Sequence, residues 1–220
     1  MVQGAPAVLS PRVGVLLALL AGVAHALALA WPTNGQSLGA LQVAALFLFA
    51  TLWQSSPNSK TAALWAWCFA TAHGVTATWW LYISMHQYGG LPAPLAMLAV
   101  LALQGALALY LAIAMGIARH FGVGKFSLAS FVGAWLLAEL ARAEFFTGFP
   151  WGSAGYAHVD SALALLAPWV GVYGIGAISA ALENTERASP ISYRRLQPVS
   201  RYWESVRHYY APFEADMRAG

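Results

Sequence analysis

Six long runs of apolar residues, most of them free of charged side chains, constrain this chain more than any other feature. A helix needs about 20 apolar residues to cross the hydrocarbon core of a bilayer. Of the 220 residues, 60% are hydrophobic and 9% are charged, whereas about 25% are charged in an ordinary soluble domain. The pattern predicts an all-α membrane protein, a bundle of about six transmembrane helices at residues 13–31, 38–53, 61–85, 91–118, 126–146 and 161–182.

Charged residues are distributed unevenly along the chain. Residues 1–181 contain eight of them, five basic and three acidic, whereas residues 182–220 contain eleven in 39 positions. Charged side chains at that density favour water over lipid. We therefore expect a transmembrane domain over residues 1–181 and a short soluble helical tail over residues 182–220.

The basic residues of the transmembrane domain predict its orientation. Arg12 precedes the first predicted span, Lys60 lies between the second and third, and Arg119 and Lys125 lie between the fourth and fifth. The other connections, at residues 32–37 and 86–90, have neither lysine nor arginine. Lysine and arginine accumulate on the cytoplasmic side of membrane proteins. We therefore expect a multi-pass protein with both ends cytoplasmic, and we interpret the net charge of +3 as an orientation signal rather than a nucleic-acid footprint.

The candidate functional segment follows the fifth run. Glu139 and Arg142 are three residues apart, so they share a helix face and can pair, while Glu144 points elsewhere. Ionisable groups in membrane segments are costly and usually functional. The segment is either a structural anchor or a surface that faces a lipid or peptide substrate. The substrate-facing candidates are Glu139, Arg142, Glu144, Gly148, Phe149, Pro150, Trp151 and Tyr156.

Residues suited to catalysis are scarce. Cys68, the single cysteine, lies within the third run, where apolar burial makes a thiol inert. The six histidines lack metal-ligand spacing, and we interpret His25 and His73 as hydrogen-bonded core residues. We therefore assign no catalytic residue and expect neither a metal nor a cofactor.

Two further features concern packing rather than chemistry. Six tryptophans near span ends predict an aromatic belt at the membrane interface: Trp31, Trp53, Trp79, Trp80, Trp151 and Trp169. Small residues in the sixth run, Gly171, Gly174 and Gly176, predict close helix contacts.

Three stretches resemble a known family in order and spacing. They are Trp80-Leu-Tyr-Ile-Ser-Met-His86-Gln-Tyr-Gly-Gly-Leu-Pro-Ala-Pro94, then Glu139-Leu-Ala-Arg142 with Thr147-Gly-Phe-Pro-Trp151, then Gly155-Tyr-Ala-His-Val-Asp-Ser161 with Leu166-Ala-Pro-Trp-Val-Gly171. Over residues 12–181 the chain resembles the N-terminal membrane region of apolipoprotein N-acyltransferase. The resemblance implies a bacterial inner-membrane protein whose partners are a phospholipid acyl donor and a lipoprotein N-terminus.

The resemblance also implies where the chemistry belongs. The family transfers an acyl chain to a diacylglyceryl-cysteine through a cysteine thioester, supported by a glutamate and a lysine in a nitrilase-like domain. That set cannot be assembled from these 220 residues, so we expect a truncated member that is inactive alone. The tail resembles a short piece of pyruvate carboxylase. A six-helix transporter or channel and a non-functional chimera stay open as alternatives, and the oligomeric state is undetermined.

Overall fold

The computed structural model describes residues 10–121 and 127–185, which contain helices and turns but no strand. The α-helices are α1 (Pro11–Leu27), α2 (Gly39–Ser55), α3 (Ser59–Ala77), α4 (Trp80–Ile83), α5 (Ala93–Phe121), α6 (Ser127–Glu144) and α7 (Ala167–Thr185). The all-α prediction is confirmed for this part of the chain. Lys125 and the tail beyond Thr185 lie outside the described residues, as do the side chains of Thr147 and residues 183–185.

Polar caps fix the starts of two helices. Ser10 precedes α1, and its hydroxyl accepts a hydrogen bond from the Val13 amide at 3.4 Å. Asn58 precedes α3, and its side-chain oxygen accepts from the Thr61 amide at 2.9 Å. Such side chains satisfy amides that have no partner within the helix.

Helix α3 lies at the centre of the packing, against α1 on one side and α5 on the other. Aromatic rings join it to α2 and α6. The rings of Phe49 on α2 and Phe69 on α3 stack with centroids 4.4 Å apart, and Phe49 lies 5.8 Å from Phe131 on α6. Offset and tilted aromatic pairs of this kind hold neighbouring elements in register.

One end of the helices carries the basic residues. Arg119, near the end of α5, donates from Nε to the Ser56 hydroxyl at 3.1 Å and from Nη2 to the Ser56 carbonyl at 2.9 Å. The end of α5 therefore lies beside the α2–α3 turn, and Lys60 lies in the first turn of α3. We call this the basic end.

Three of the predicted spans differ from the observed helices. The first helix ends at Leu27, four residues early. The third span is broken, because α3 ends at Ala77 and is followed by the short α4 and a π-helical turn at Ser84–Tyr88. The sixth begins with a 3₁₀ turn at Ala162–Leu166 before α7.

Length and composition single out fewer membrane helices than predicted. Within the described ranges, two helical segments, Ala93–Phe121 and Ala162–Leu182, are long and apolar enough on their own to cross a bilayer. Helices α1 and α2 are apolar but have only 17 residues each. The described structure thus confirms apolar helices without establishing six spans.

The packing predictions have mixed outcomes. The prediction of an interfacial position is wrong for Trp53, because this residue is buried and donates its indole N–H to the Met115 carbonyl at 2.9 Å. The other five tryptophans of the predicted belt are exposed.

Gly171 breaks α7, with a φ of 63°, and a Cβ added at this position would meet no atom within 4 Å. Gly176 does allow close approach, because a Cβ there would lie 3.2 Å from that of Ala154.

Candidate functional site

Buried polar side chains gather at the end of the helices opposite the basic end. His25 and His73 lie in the last turns of α1 and α3, while Gln42 lies in the first turn of α2. Glu139 and Arg142 lie in the last turns of α6. Because α1 and α3 run in the same direction and α2 runs back, these turns meet at one end, which we call the polar end.

The predicted pairing of Glu139 with Arg142 is confirmed. The Arg142 Nη2 and Glu139 Oε1 atoms are 3.6 Å apart, and both side chains are largely buried. The same carboxylate oxygen accepts a hydrogen bond from the Ala154 amide at 3.3 Å. Pairing and hydrogen bonding offset the cost of placing two charges away from water.

Arg142 also fixes the loop that follows α6. Its Nη1 donates to the carbonyl oxygens of Phe149 and Trp151, both at 2.7 Å. Its Nη2 reaches the Ser153 hydroxyl at 3.4 Å. Both terminal nitrogens therefore have partners within the protein, so this arginine positions the loop from inside.

Gly148 permits the tight turn at the start of this loop. Its φ is 77°, and a Cβ there would overlap the Ala143 carbonyl oxygen. The neighbouring Phe149 amide donates back to the Arg142 carbonyl at 2.8 Å. A residue with a side chain at position 148 would break this closure.

A chain of hydrogen bonds connects the histidines across the polar end. His73 Nε2 lies 2.9 Å from the Gly152 carbonyl oxygen, which can only accept, so this nitrogen carries the proton. His73 Nδ1 then accepts from His25 Nδ1–H at 3.1 Å. His25 Nε2 in turn faces the Gln42 amide nitrogen at 3.5 Å. Both histidines are thus hydrogen-bonded core residues, as the sequence predicts.

Gln42 extends this chain to His158 in the loop before α7. Its amide oxygen accepts from His158 Nε2 at 2.9 Å, and its amide nitrogen donates to the Ser179 hydroxyl on α7 at 3.2 Å. Burial lowers the pKa of His158, because the imidazolium form loses hydration there. Sequence reasoning missed Gln42, His158 and Ser179, since each is a lone polar residue far from its partners in the chain.

The remaining predicted site residues lie on the surface. Glu144, Pro150, Trp151 and Tyr156 are exposed, while Gly148 and Phe149 are half-buried. The rings of Phe149 and Trp151 are 5.1 Å apart. The prediction therefore divides into a buried pair, Glu139 and Arg142, and an exposed set of loop residues.

Two exposed phenylalanines that the sequence did not single out adjoin this loop. Phe145 is 61% exposed and Phe146 is 93% exposed, although both are large and apolar. Phe146 also has φ of 52°, the one positive value for a non-glycine residue among those described. A strained, exposed apolar residue is typical of a contact surface. We call Phe145, Phe146, Phe149 and Trp151 the aromatic loop.

An apolar groove of about 490 Å³ runs between the aromatic loop and α5. Phe145, Phe146 and Phe149 form one wall. The α5 wall consists mainly of aliphatic residues: Leu103, Ala106, Leu107, Leu109, Tyr110 and Ile113. A groove of this composition can hold a flexible hydrocarbon chain but has few groups to bind a polar ligand.

Residues for covalent or metal chemistry are not assembled in this part of the chain. Cys68 is buried in α3, and Lys60 lies at the basic end, away from the site. Among the described side chains, no group of three or more histidine, cysteine or acidic residues could hold a metal ion.

Within the described ranges, seven α-helices, two helical segments long and apolar enough to cross a bilayer, and an ion pair at one end define the class as an all-α protein of apolar helices. The chain also matches a known protein family. Residues 11–183 match the family described as apolipoprotein N-acyltransferase N-terminal domain. The chain therefore belongs to the apolipoprotein N-acyltransferase family.

Individual relatives carry the same name. Apolipoprotein N-acyltransferase of Verminephrobacter eiseniae is 50% identical over 173 residues, which cover 75% of this chain and 32% of that relative. The Ralstonia nicotianae protein is 41% identical over 176 residues, covering 78% and 33%. That of Pseudomonas putida is 41% identical over 186 residues, covering 80% and 36%. The chain thus spans about a third of the length of these curated relatives.

Proposed function

We propose that this chain forms the lipid-binding membrane part of an N-acylation system in a bacterial inner membrane. The ligand is the acyl chain of a donor phospholipid, which binds in the groove between α5 and the aromatic loop. The observation that carries this proposal is the groove itself, about 490 Å³ and lined by aliphatic and aromatic side chains. The relatives, named as apolipoprotein N-acyltransferases, support an acyl donor and a lipoprotein acceptor.

The aromatic loop and the ion pair have different roles in this proposal. Phe146 and Trp151 contact the lipid at the membrane interface, where aromatic side chains are favoured. Arg142 keeps the loop in place through its bonds to the Phe149 and Trp151 carbonyls. The aromatic wall of the groove depends on that support.

We further propose six spans with the basic end in the cytoplasm and the polar end outside. Arg119 and Lys60 lie at one end, which suits the cytoplasmic enrichment of basic residues. Ser37 donates a hydrogen bond to Asp160 at 2.9 Å, so the α1–α2 connection and the loop before α7 lie at the same, opposite end. Local bilayer thinning and the snorkelling of flanking residues allow helices of 17 residues to span.

Reporter fusions test the topology. Fusions after Ser37, Gly90 and Trp151 should give an external signal, and one at Ser200 a cytoplasmic signal. An external signal at Ser200 would contradict an even number of spans.

Lipid cross-linking tests the groove. A phosphatidylethanolamine with a photoactivatable acyl chain should label α5 and the aromatic loop of the purified chain in nanodiscs. Leu107→Trp fills the groove and should abolish this labelling. Leu98→Trp is the matched control, since Leu98 is 61% exposed on the same helix but does not line the groove. Equal labelling in both variants would exclude the groove as the binding site.

A further inference from the structure

A second apolar groove lies along the same helix as the first. It has a volume of about 510 Å³ and runs between α5 and α6, so we call it the α5–α6 groove. Its α5 side extends from Tyr110 to Phe121, and its α6 side from Ala129 to Ala141. Small residues make up much of its lining: Ala114, Ala118, Ala129, Gly133, Ala134 and Ala138. The space that these short side chains leave open can take a flexible apolar chain.

The two grooves meet at Tyr110 and Ile113, which line both of them. Along α5 the apolar groove covers residues 103–113, which advance about 15 Å at the helical rise of roughly 1.5 Å per residue. This length is half of the hydrocarbon core, which is about 30 Å thick, so it matches the depth of an acyl chain in one leaflet. The α5–α6 groove begins where that depth ends.

Tyr110 narrows the passage between the two grooves. Its side chain is half-buried, and its ring centroid lies 6.4 Å from that of Phe145 on the opposite wall of the apolar groove. Aromatic rings that contact each other have centroids about 4.5–7 Å apart. An acyl chain therefore cannot pass between these two rings unless one of them moves.

We propose that Tyr110 determines the length of the acyl chain that the apolar groove accepts. This inference rests on the proposed function of the groove. Because α5 ends at the basic end, a chain whose head group lies at the aromatic loop directs its methyl end towards Tyr110. A chain as long as one leaflet is deep ends at this ring, whereas a longer chain has to displace the ring and enter the α5–α6 groove.

Phosphatidylethanolamines that differ only in acyl-chain length, each with a photoactivatable group at the methyl end, test this role in nanodiscs. In the unmodified chain the label should attach at residues 107–113, and the longest lipids should bind several-fold more weakly than the shortest. In Tyr110→Ala the two should bind equally, and the label of the longest should move to Ala118 and Gly133 in the α5–α6 groove. Equal binding of all lengths to the unmodified chain, or labelling of Gly133 there, would overturn the proposal.

Two control variants isolate the effect of the ring. Tyr110→Phe keeps the ring and should keep the length preference. Leu109 lines the apolar groove but not the α5–α6 groove, so Leu109→Ala should keep the preference as well. Loss of the preference in Leu109→Ala to the same extent as in Tyr110→Ala would refute a specific role for Tyr110.

The same measurement separates this proposal from the proposed function. Labelling of the apolar groove without a length preference would refute the role of Tyr110 alone. Failure of every lipid to label the groove would refute acyl-chain binding and the role of Tyr110 with it. If Tyr110→Ala does not fold, the length dependence in the unmodified chain decides.

Discussion

Arg142 is the residue on which the polar end depends most. It pairs with Glu139 within α6, and it binds two carbonyl oxygens and a hydroxyl of the following loop. Backbone carbonyls in a loop have no regular partner, and inside an apolar environment they need one. A planar guanidinium presents five N–H donors on three nitrogens, so it can serve several acceptors in different directions, whereas the three donors of an ammonium share one nitrogen.

Arg142→Met should destabilise the protein by about 3–5 kcal/mol, because it leaves the buried Glu139 carboxylate without its counter-ion. Thermal unfolding in detergent measures the loss. Arg142→Lys should recover only part of it, since one ammonium nitrogen cannot replace both Nη1, which binds the two carbonyls, and Nη2, which pairs with Glu139. The double variant Glu139→Gln with Arg142→Met should also be more stable than Arg142→Met.

Arg12→Gln is the control for this prediction. Arg12 is an exposed arginine at the other end of the helices, and its replacement should change the stability by no more than about 0.5 kcal/mol. Equal losses for Arg12→Gln and Arg142→Met would contradict a specific role for Arg142.

His158 should make the stability of the loop before α7 depend on pH. Burial lowers its pKa below the ordinary value of 6.5, so the unfolded chain binds a proton at a higher pH than the folded chain does. The stabilising contribution is complete above pH 6.5 and is lost progressively as the pH falls towards the lowered pKa. The melting temperature should therefore decline below that pH, and His158→Gln should reduce the decline. An identical decline in the variant would exclude His158 as its source.

The helices are interrupted where a local geometry overrides an apolar sequence. α3 ends at Ala77, and the next residue, Thr78, donates from its hydroxyl to the Gly74 carbonyl at 2.8 Å and accepts from the Gln104 amide at 2.9 Å. α6 passes into the strained turn at Phe146, and α7 breaks at Gly171. Each interruption lies next to a polar or exposed feature of the polar end.

Gly171→Ala should destabilise the protein by about 1–3 kcal/mol, because a φ of 63° with a ψ of −176° is essentially accessible only to glycine. The control is Gly133→Ala in the regular helix α6, where a Cβ would meet nothing within 4 Å. That substitution should be neutral or stabilise by about 0.5–1 kcal/mol through helix propensity. Thermal unfolding of both variants gives the comparison. Destabilisation by Gly133→Ala but not by Gly171→Ala would contradict the prediction.

The helices were predictable from the sequence because apolar runs are long and local, but their interruptions were not. The break after α3 depends on Gln104, which is 26 residues away from Thr78. The Glu139–Arg142 pair was predictable from its spacing within one turn. The bonds of Gln42 to His158 and Ser179 span 116 and 137 residues and leave no periodic signal. For Gln42 the signal that could have revealed it is its position in the first turn of α2, whereas His158 and Ser179 offer no such signal.

The whole molecule has two chemically different ends. Arg119 and Lys60 mark one of them, and the histidines, the ion pair and the aromatic loop mark the other. Among the described residues, Lys60 is therefore kept apart from the buried Glu139 carboxylate. A thioester mechanism needs an accessible thiolate beside a base or cation.

We expect the purified 220 residues by themselves to transfer no acyl chain. Cys68 is buried within α3, and Lys60 is at the basic end of the same helix. The assay follows a labelled acyl chain from phosphatidylethanolamine to a diacylglyceryl-cysteine peptide. Turnover above background that disappears in Cys68→Ala would refute this expectation, and the lipid cross-linking described above would show that the protein was folded.

The contacts of Arg119 have a consequence for the order of events during synthesis. The carbonyls of Gln54 and Ser56 at the end of α2 accept hydrogen bonds from a side chain made 63 to 65 residues later. Until α5 emerges, the Ser56 carbonyl and hydroxyl at the tip of the α2–α3 hairpin lack the Arg119 donor, and water or lipid head groups must solvate them. The hairpin is completed in the membrane only when a later helix arrives, so insertion of the first helices and their final packing are separate steps in time.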